Sequence, residues 1–308
     1  MAGEPTFGER VAYGPDDVCY RHPGAHSFTL CQRCGRTICA DCQVVSAVGV
    51  LCPECMKQVQ PSGAKRAKRT ARVTGRRIAA LDTPVTYAII ALCVVVYLAQ
   101  MLTHYFGADQ VTRALAYFPV YSLPDSEQIY SDVTFQPWRM LTVVFTHSTS
   151  FIFHILFNMY ALWLFGRNLE QMLGKARFAA LYLISGVGGS LGVMLWAYVD
   201  PQTLSTPTVG ASGAIFGVLG ATLVAYRAAR VNITSLLVLV AINFGIGLIP
   251  GANVSWQAHL GGLIVGAGVM WLLLKMRQRA PKQRALMLGG AAALLIALSF
   301  AYFVVSPL

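Results

Sequence analysis

From residue 84 onward the chain breaks into apolar blocks of about 20 residues, the length that crosses a bilayer as a helix. This spacing decides most of what it can fold into. Seven blocks are read: 84–103, 151–170, 178–198, 210–229, 233–249, 256–274 and 285–305. The expected fold class is therefore an all-α polytopic membrane protein. Composition agrees, with 56% hydrophobic and only 12% charged residues, where soluble domains carry about a quarter charged. Residues 1–82 differ in being polar and basic, and they lack the apolar stretch and cleavage site of a signal peptide. The first block is expected to serve as the insertion signal and to remain in the protein.

A net charge of +11 first suggests a nucleic-acid partner, but its distribution points elsewhere. Of the 24 Lys and Arg, 12 precede the first block. Arg167, Lys175 and Arg177 follow the second, Arg227 and Arg230 the fourth, and Lys275, Arg277, Arg279, Lys282 and Arg284 the sixth. The alternate connections hold only Arg113 and Arg139. Every second loop is basic, the pattern of cytoplasmic loops. A multi-pass protein of the cell (plasma) membrane is expected, with its N-terminus cytoplasmic and its C-terminus outside. The basic stretch 61–80 reads as an orientation signal resting on anionic headgroups, and no nucleic-acid partner is expected.

Seven of the eight cysteines lie ahead of the first block, in "CYRH", "CQRC", "CADC" and "CPEC". Cys93 stands alone in the first block as a small apolar residue. Four chelating pairs supply Cys19, His22, Cys31, Cys34, Cys39, Cys42, Cys52 and Cys55, ligands for two tetrahedral zinc ions. A disulfide framework is the competing reading, and a cytoplasmic position argues against it. His26 competes with His22 as the eighth ligand. With both sites saturated, zinc here is structural, stabilises a segment too small for its own core, and leaves no position for catalysis. No cofactor is expected for catalysis itself. The head is expected to be structural or to bind a cytoplasmic protein partner.

Within the membrane half the unusual residues fall at one depth. Ser212 lies at the start of the fourth block and His259 one turn into the sixth, two segments running in the same direction. His154 and Asn158 form an i, i+4 pair on one face early in the second. Singly, each could be packing or a bond between helices. Together at one level, such groups in a membrane point to function. Their chemistry suits nucleophilic acyl transfer, with Ser212 attacking a carbonyl and His259 taking its proton and returning it to the leaving amine. The backbone N–H of Ser212, the His154 imidazole and the Asn158 amide are candidate oxyanion donors. No acidic residue lies in the fourth or sixth block, so a dyad is expected. Phe216, on the same face as Ser212, is expected to stack beneath His259. Gly213, Gly217 and Gly220 on one helix, with Gly262 and Gly266 on the other, would let the two approach closely, and Gly210 flanks Ser212 as a supporting residue.

These residues resemble the rhomboid intramembrane serine proteases. "GASGAIFG" looks like the family's nucleophile motif, "AHLGG" with Gly266 its histidine helix, and "HILFN" its oxyanion helix. "PWRMLTVVFTH" is similar to the family's Trp-Arg signature, here Trp138 and Arg139, and "GRNLEQMLGKARF" to its connection between the second and third helices. The resemblance implies a six-helix rhomboid-like bundle over residues 83–275, a water-filled cavity open to the outside, a first loop partly in the membrane, a gate near the second and fifth spans, and transmembrane protein substrates. The head resembles a B-box-type or RING-like cross-brace, which implies that Cys19, His22, Cys39 and Cys42 share one zinc and Cys31, Cys34, Cys52 and Cys55 the other. The expected organisation is a tail (1–18), the zinc domain (19–58), a basic linker (59–82), the six-helix core (83–275), and a cytoplasmic loop with one extra C-terminal helix (276–308). Two other classes compete: an inactive rhomboid-like module that binds transmembrane helices without cutting them, and a small-molecule transporter, which the lack of paired internal repeats disfavours.

Overall fold

The computed structural model describes residues 12–46, 49–59, 82–124, 133–249 and 254–307, and the linker sequence 61–80 lies outside them. The chain divides into two units, 1–79 and 80–308.

The first unit has little regular structure because its interior is mostly sulfur. Among its described residues, Ile38 and Leu51 are the buried ones other than cysteine, and they sit among seven buried or metal-spaced cysteines. A two-stranded antiparallel ribbon, β1 (Val44–Ser46) and β2 (Gly49–Leu51), pairs Val44 with Leu51 and Ser46 with Gly49. The helix α1 (Pro53–Val59) opens on a proline, whose missing N–H costs nothing in the first turn.

The second unit is helical at each apolar block. Its elements are α2 (Pro84–Tyr105), α3 (Gln110–Leu115), α4 (Arg139–Thr142), α5 (Ile152–Ala161), α6 (Arg167–Leu173), α7 (Lys175–Trp196), α8 (Ser212–Ala228), α9 (Thr234–Gly247), α10 (Trp256–Lys275) and α11 (Pro281–Leu298). The second block is one continuous path, α5 and α6 joined through a wider π-type turn over Leu162–Gly166. Three helices, α2, α7 and α10, are long and apolar enough to cross a membrane by themselves, and α8 and α9 are shorter apolar helices. The chain is a multi-pass membrane protein. The seventh block departs from a single span over 285–305: α11 starts earlier and ends at Leu298, and a short 3-10 turn follows at Ala301–Phe303. The turn forms because its rings find partners on neighbouring elements, described below.

The helix α8 is apolar on every side and buried on nearly every side, as a central helix must be. It packs between α7 and α10, and all three are rich in glycine where they meet. The long connection between α2 and α5 is fastened to this centre. Ser190 on α7 donates to the Met140 carbonyl (2.8 Å), and Gln100 on α2 grips the His147 backbone, accepting from its N–H (2.9 Å) and donating to its carbonyl (3.0 Å). Arg139 is buried beneath the connection. It donates to Gln136 (2.6 Å) and to the Arg113 and Ala116 carbonyls, and its guanidinium lies over the Tyr121 ring at 4.1 Å. Trp138, its neighbour in sequence, is exposed instead.

Candidate active site and metal clusters

The helix α8 begins at Ser212, so its first N–H groups have no carbonyl within the helix. Gly210 precedes it with φ 129°, a left-handed conformation that side chains avoid. A Cβ at Gly210 would lie 2.9 Å from both Cε1 and Nε2 of His154 and 3.5 Å from the Ser212 Oγ. The His154 ring and the serine hydroxyl thus meet over this glycine. Ser148 fixes the ring, donating its backbone N–H to His154 Nδ1 at 3.1 Å. With Nδ1 accepting, the neutral imidazole carries its proton on Nε2, the nitrogen facing Gly210. Asn158 is buried one turn along and donates to the His154 carbonyl at 2.7 Å, which leaves one amide hydrogen uncommitted.

The helix α10 brings His259 to the same end of α8. The contacts advance together along the two helices: Gly213 meets Ala258, Gly262 packs on the Gly213 carbonyl, and Gly266 packs on the Gly217 backbone. The helices therefore run the same way with their backbones touching, and a Cβ at Gly262 or Gly266 would overlap a carbonyl oxygen. His259 is buried, its ring stacked on Phe216 with centroids 4.0 Å apart and planes 8° from parallel. Phe244 on α9 meets the edge of both rings, at 5.5 Å from Phe216 and 6.3 Å from His259. Among the described residues no carboxylate bonds to His259, its Nδ1 is buried without a protein partner, and no hydrogen bond joins it to Ser212.

Three contributors escape motif reading. Ser148, which orients His154, has nothing in its sequence context to mark it. Phe244 is one apolar residue among many in its block. Gly188, Gly189 and Gly192 of α7 close against α8 and α10, with Gly261 seated on the Gly188 carbonyl. The last was available as a signal, in the small-residue run "SGVGGSLG" over 185–192.

In the first unit the ligand atoms of Cys19, His22, Cys39 and Cys42 lie within 4.8 Å of one another, and so do those of Cys31, Cys34, Cys52 and Cys55. Pairs one and three make one group, pairs two and four the other. The His22 Nδ1 is 3.3 Å from Cys39, 3.4 Å from Cys42 and 3.9 Å from Cys19. Ligands about 2.3 Å from a tetrahedral ion stand about 3.8 Å apart, so the spacing fits a metal of zinc's size. His26 is turned away, stacked on Tyr13 at 5.0 Å. None of the cysteines is in a disulfide. Burial would raise the Cys31 thiol, but backbone N–H groups of Cys52, Arg33 and Cys34 outweigh it and bring it down to about 6. Cys55 is pushed up to about 12 by burial and by the adjoining thiols. Thiols divided in this way are those whose mutual repulsion a cation would relieve. Arg36 adds positive charge to the second group, donating to Cys34 Sγ at 3.3 Å while paired to Glu54 at 2.7 Å.

Comparison with known proteins finds a family match inside the second unit. The Rhomboid domain family matches residues 134–276. A rhomboid-like protein 6 of Arabidopsis thaliana, a mitochondrial protein, is 37% identical over 150 residues, 46% of this chain and 46% of its own. The rhomboid protease GluP of Bacillus subtilis is 37% identical over 134 residues, 42% of this chain and 24% of its own. The mitochondrial rhomboid protein 1 of Saccharomyces cerevisiae is 28% identical over 195 residues, 60% of this chain and 54% of its own. The chain thus spans about half the length of these relatives, or less. Residues 134–276, with their buried glycine-packed helices, thus match the Rhomboid domain family, and ahead of them the chain carries a cysteine-rich region that fits a zinc-binding domain.

Proposed function

We propose that this protein is an intramembrane serine endopeptidase that cuts transmembrane proteins with a Ser212–His259 dyad. The observation that supports the reading is that His154 and the Ser212 hydroxyl come together over Gly210, while backbone contact between α8 and α10 sets Ala258 on Gly213 and the neighbouring His259 on Phe216. In this mechanism the Ser212 Oγ attacks the scissile carbonyl and His259 accepts its proton. The tetrahedral oxyanion is met by the free N–H of Ser212 and the Nε2–H of His154, with the remaining hydrogen of Asn158 close by. His259 then passes the proton to the leaving amine, and water releases the acyl group by the reverse sequence. Each such donor lowers the barrier by about 3–4 kcal/mol. Phe216 sets the plane of the imidazole, and Phe244 on α9 closes the side from which a helical substrate would enter. Catalytic hydrogen bonds often tighten only with substrate bound, which accommodates the untied Ser212 and His259.

That untied pair is also what favours the second reading, a helix-binding module without activity. Labelling of the purified protein with a serine-directed fluorophosphonate separates the two. Labelling of the unmodified chain that is lost in Ser212→Ala and in His259→Ala is the expected result. No labelling, together with an uncut transmembrane substrate, would leave the binding module.

We further assign the active site to the extracytoplasmic side of the plasma membrane and the head to the cytoplasm, from the basic loops. The two clusters hold structural zinc in this reading. The head docks a cytoplasmic protein partner, for which its exposed stack of Tyr13 on His26 and Phe28 is the most prominent surface.

A further inference from the structure

Helix α11 has no buried residue of its own. The burial at this end of the chain comes after the helix, in the turn that follows. Tyr302 is 2% exposed, donates its hydroxyl to the Met194 carbonyl of α7 and meets Tyr198 edge-on at 5.4 Å. Tyr198 in turn donates to the Val305 carbonyl at 2.7 Å, so the turn is fastened on both sides. Phe300 and Phe303 of the same turn enclose Phe135, at 5.9 Å and 5.3 Å. Phe135 belongs to the connection between α2 and α5, just ahead of Gln136, whose N–H bonds to the Tyr121 carbonyl (2.8 Å) and whose side chain receives Arg139.

The same connection reaches the reactive end of α8. Tyr117 and Thr208 exchange backbone hydrogen bonds, 3.2 Å and 2.8 Å, two residues before Gly210. Tyr117 is fully buried and bonded to Ser122 at 2.9 Å. The segment that sets Gly210 and Ser212 is thus paired to a connection whose far end is held by the last residues of the chain.

We propose that the aromatic turn Phe300–Phe303 is a strap over the first connection, and that Tyr302 and Phe303 are positioning residues for Ser212. Helix α11 delivers the strap to the end of α7, at Met194 and Tyr198. A single apolar span would anchor the C-terminus equally well without a buried tyrosine or a ring cage around Phe135.

Amide hydrogen exchange in the full-length protein in detergent reads the strap directly, because the Gln136, Tyr117 and Thr208 amides are its reporters. Phe303→Ala is expected to speed exchange at Gln136 about tenfold, while protection inside α7 and α10 stays unchanged. Phe135→Ala, which loses Phe300 as well, should do at least as much, and the double variant no more than Phe135→Ala alone, since the Phe303 contact is already gone in it. Tyr302→Phe keeps the ring and loses only the bond to Met194, giving a smaller rise in the same amides. Exchange at Gln136 within about twofold of the parent in Phe303→Ala, or single effects that add in the double variant, would overturn the strap.

The link to Ser212 rests on the protease reading and has its own measurement. Fluorophosphonate labelling of Phe303→Ala is expected to slow with KM for a transmembrane substrate little changed. Unaltered labelling beside a loosened connection would refute the link while leaving the strap. An unmodified chain that is never labelled would refute the protease reading, with the exchange result still deciding the strap.

Discussion

Gly210 is where backbone and chemistry are least separable. Its φ of 129° lets the chain turn into α8 with Ser212 at the tip, and the missing side chain is the space taken by His154. Gly210→Ala therefore meets strain and a clash together. We expect it to lower stability by about 1–3 kcal/mol, measured by thermal unfolding in detergent. Displacing the imidazole by even about 1 Å should slow Ser212 labelling about a hundredfold. A variant that labels at the parent rate would mean that His154 takes no part. Arg36 carries the corresponding weight in the head. A divalent ion held by four thiolates keeps a net charge of about −2, while three thiolates and an imidazole keep about −1. Arg36 stands beside the all-cysteine group, donating to Cys34 and stacked over Tyr20 at 4.2 Å. Arg36→Gln should weaken that site's hold on zinc about tenfold or more, with the Cys19 group unaffected, as read by competition with a chromogenic chelator. Equal loss from both groups would assign Arg36 a role in folding instead.

Between elements, the glycine contacts of α8 and α10 and the carboxylate of Glu170 show two different kinds of join. Gly262→Val would drive a branched side chain into the Gly213 carbonyl and part the helices that carry Ser212 and His259. The expected outcome is loss of labelling together with destabilisation of several kcal/mol, in the range about 1–3 or more for overpacked sites. Glu170 is buried and caps α2 from α6, accepting from the Val85 N–H (2.9 Å), the Thr86 N–H (2.7 Å) and the Thr86 hydroxyl (2.8 Å). A carboxylate is favoured there by the helix dipole. Glu170→Gln turns one acceptor into a donor facing an N–H, and about 1–3 kcal/mol of stability should go with it, without a change in the labelling rate per folded molecule. The two joins also differ in how far the sequence reveals them. The spacing of Gly262 and Gly266 repeats along one helix and can be read, as can the paired cysteines, because ligand geometry needs local turns. Glu170 finds its partners 85 residues away, and a lone acid after a basic residue looks like surface. The strap is hidden for another reason: "FAYFVV" continues an apolar run, and only tertiary contact shows that the helix stops at Leu298.

At the scale of the molecule the two units are held by different forces. The membrane half buries large side chains such as Tyr117, Phe178, Tyr182 and Met194, and satisfies its backbone within helices. Among the described residues between 12 and 59 the head buries only Ile38 and Leu51 besides its cysteines, far too little apolar area to offset the entropy of ordering it. We expect its stability to come from metal held by the two ligand groups, so that removing the metal removes the fold. The full-length protein is expected to contain two zinc ions per chain, one for each ligand group. Stripping them with a chelator should abolish exchange protection across the head, including the Cys19 amide bonded to Ala25 and the Ile38 amide bonded to Thr29. Protection in α7, α8 and α10, and labelling of Ser212, should persist, since the contacts that hold the site all lie within the second unit. Protection that survives in a metal-free head would mean that hydrogen bonds alone hold it. Labelling that falls as the metal leaves would make the head a regulator of the proposed activity, coupled to it in the intact chain.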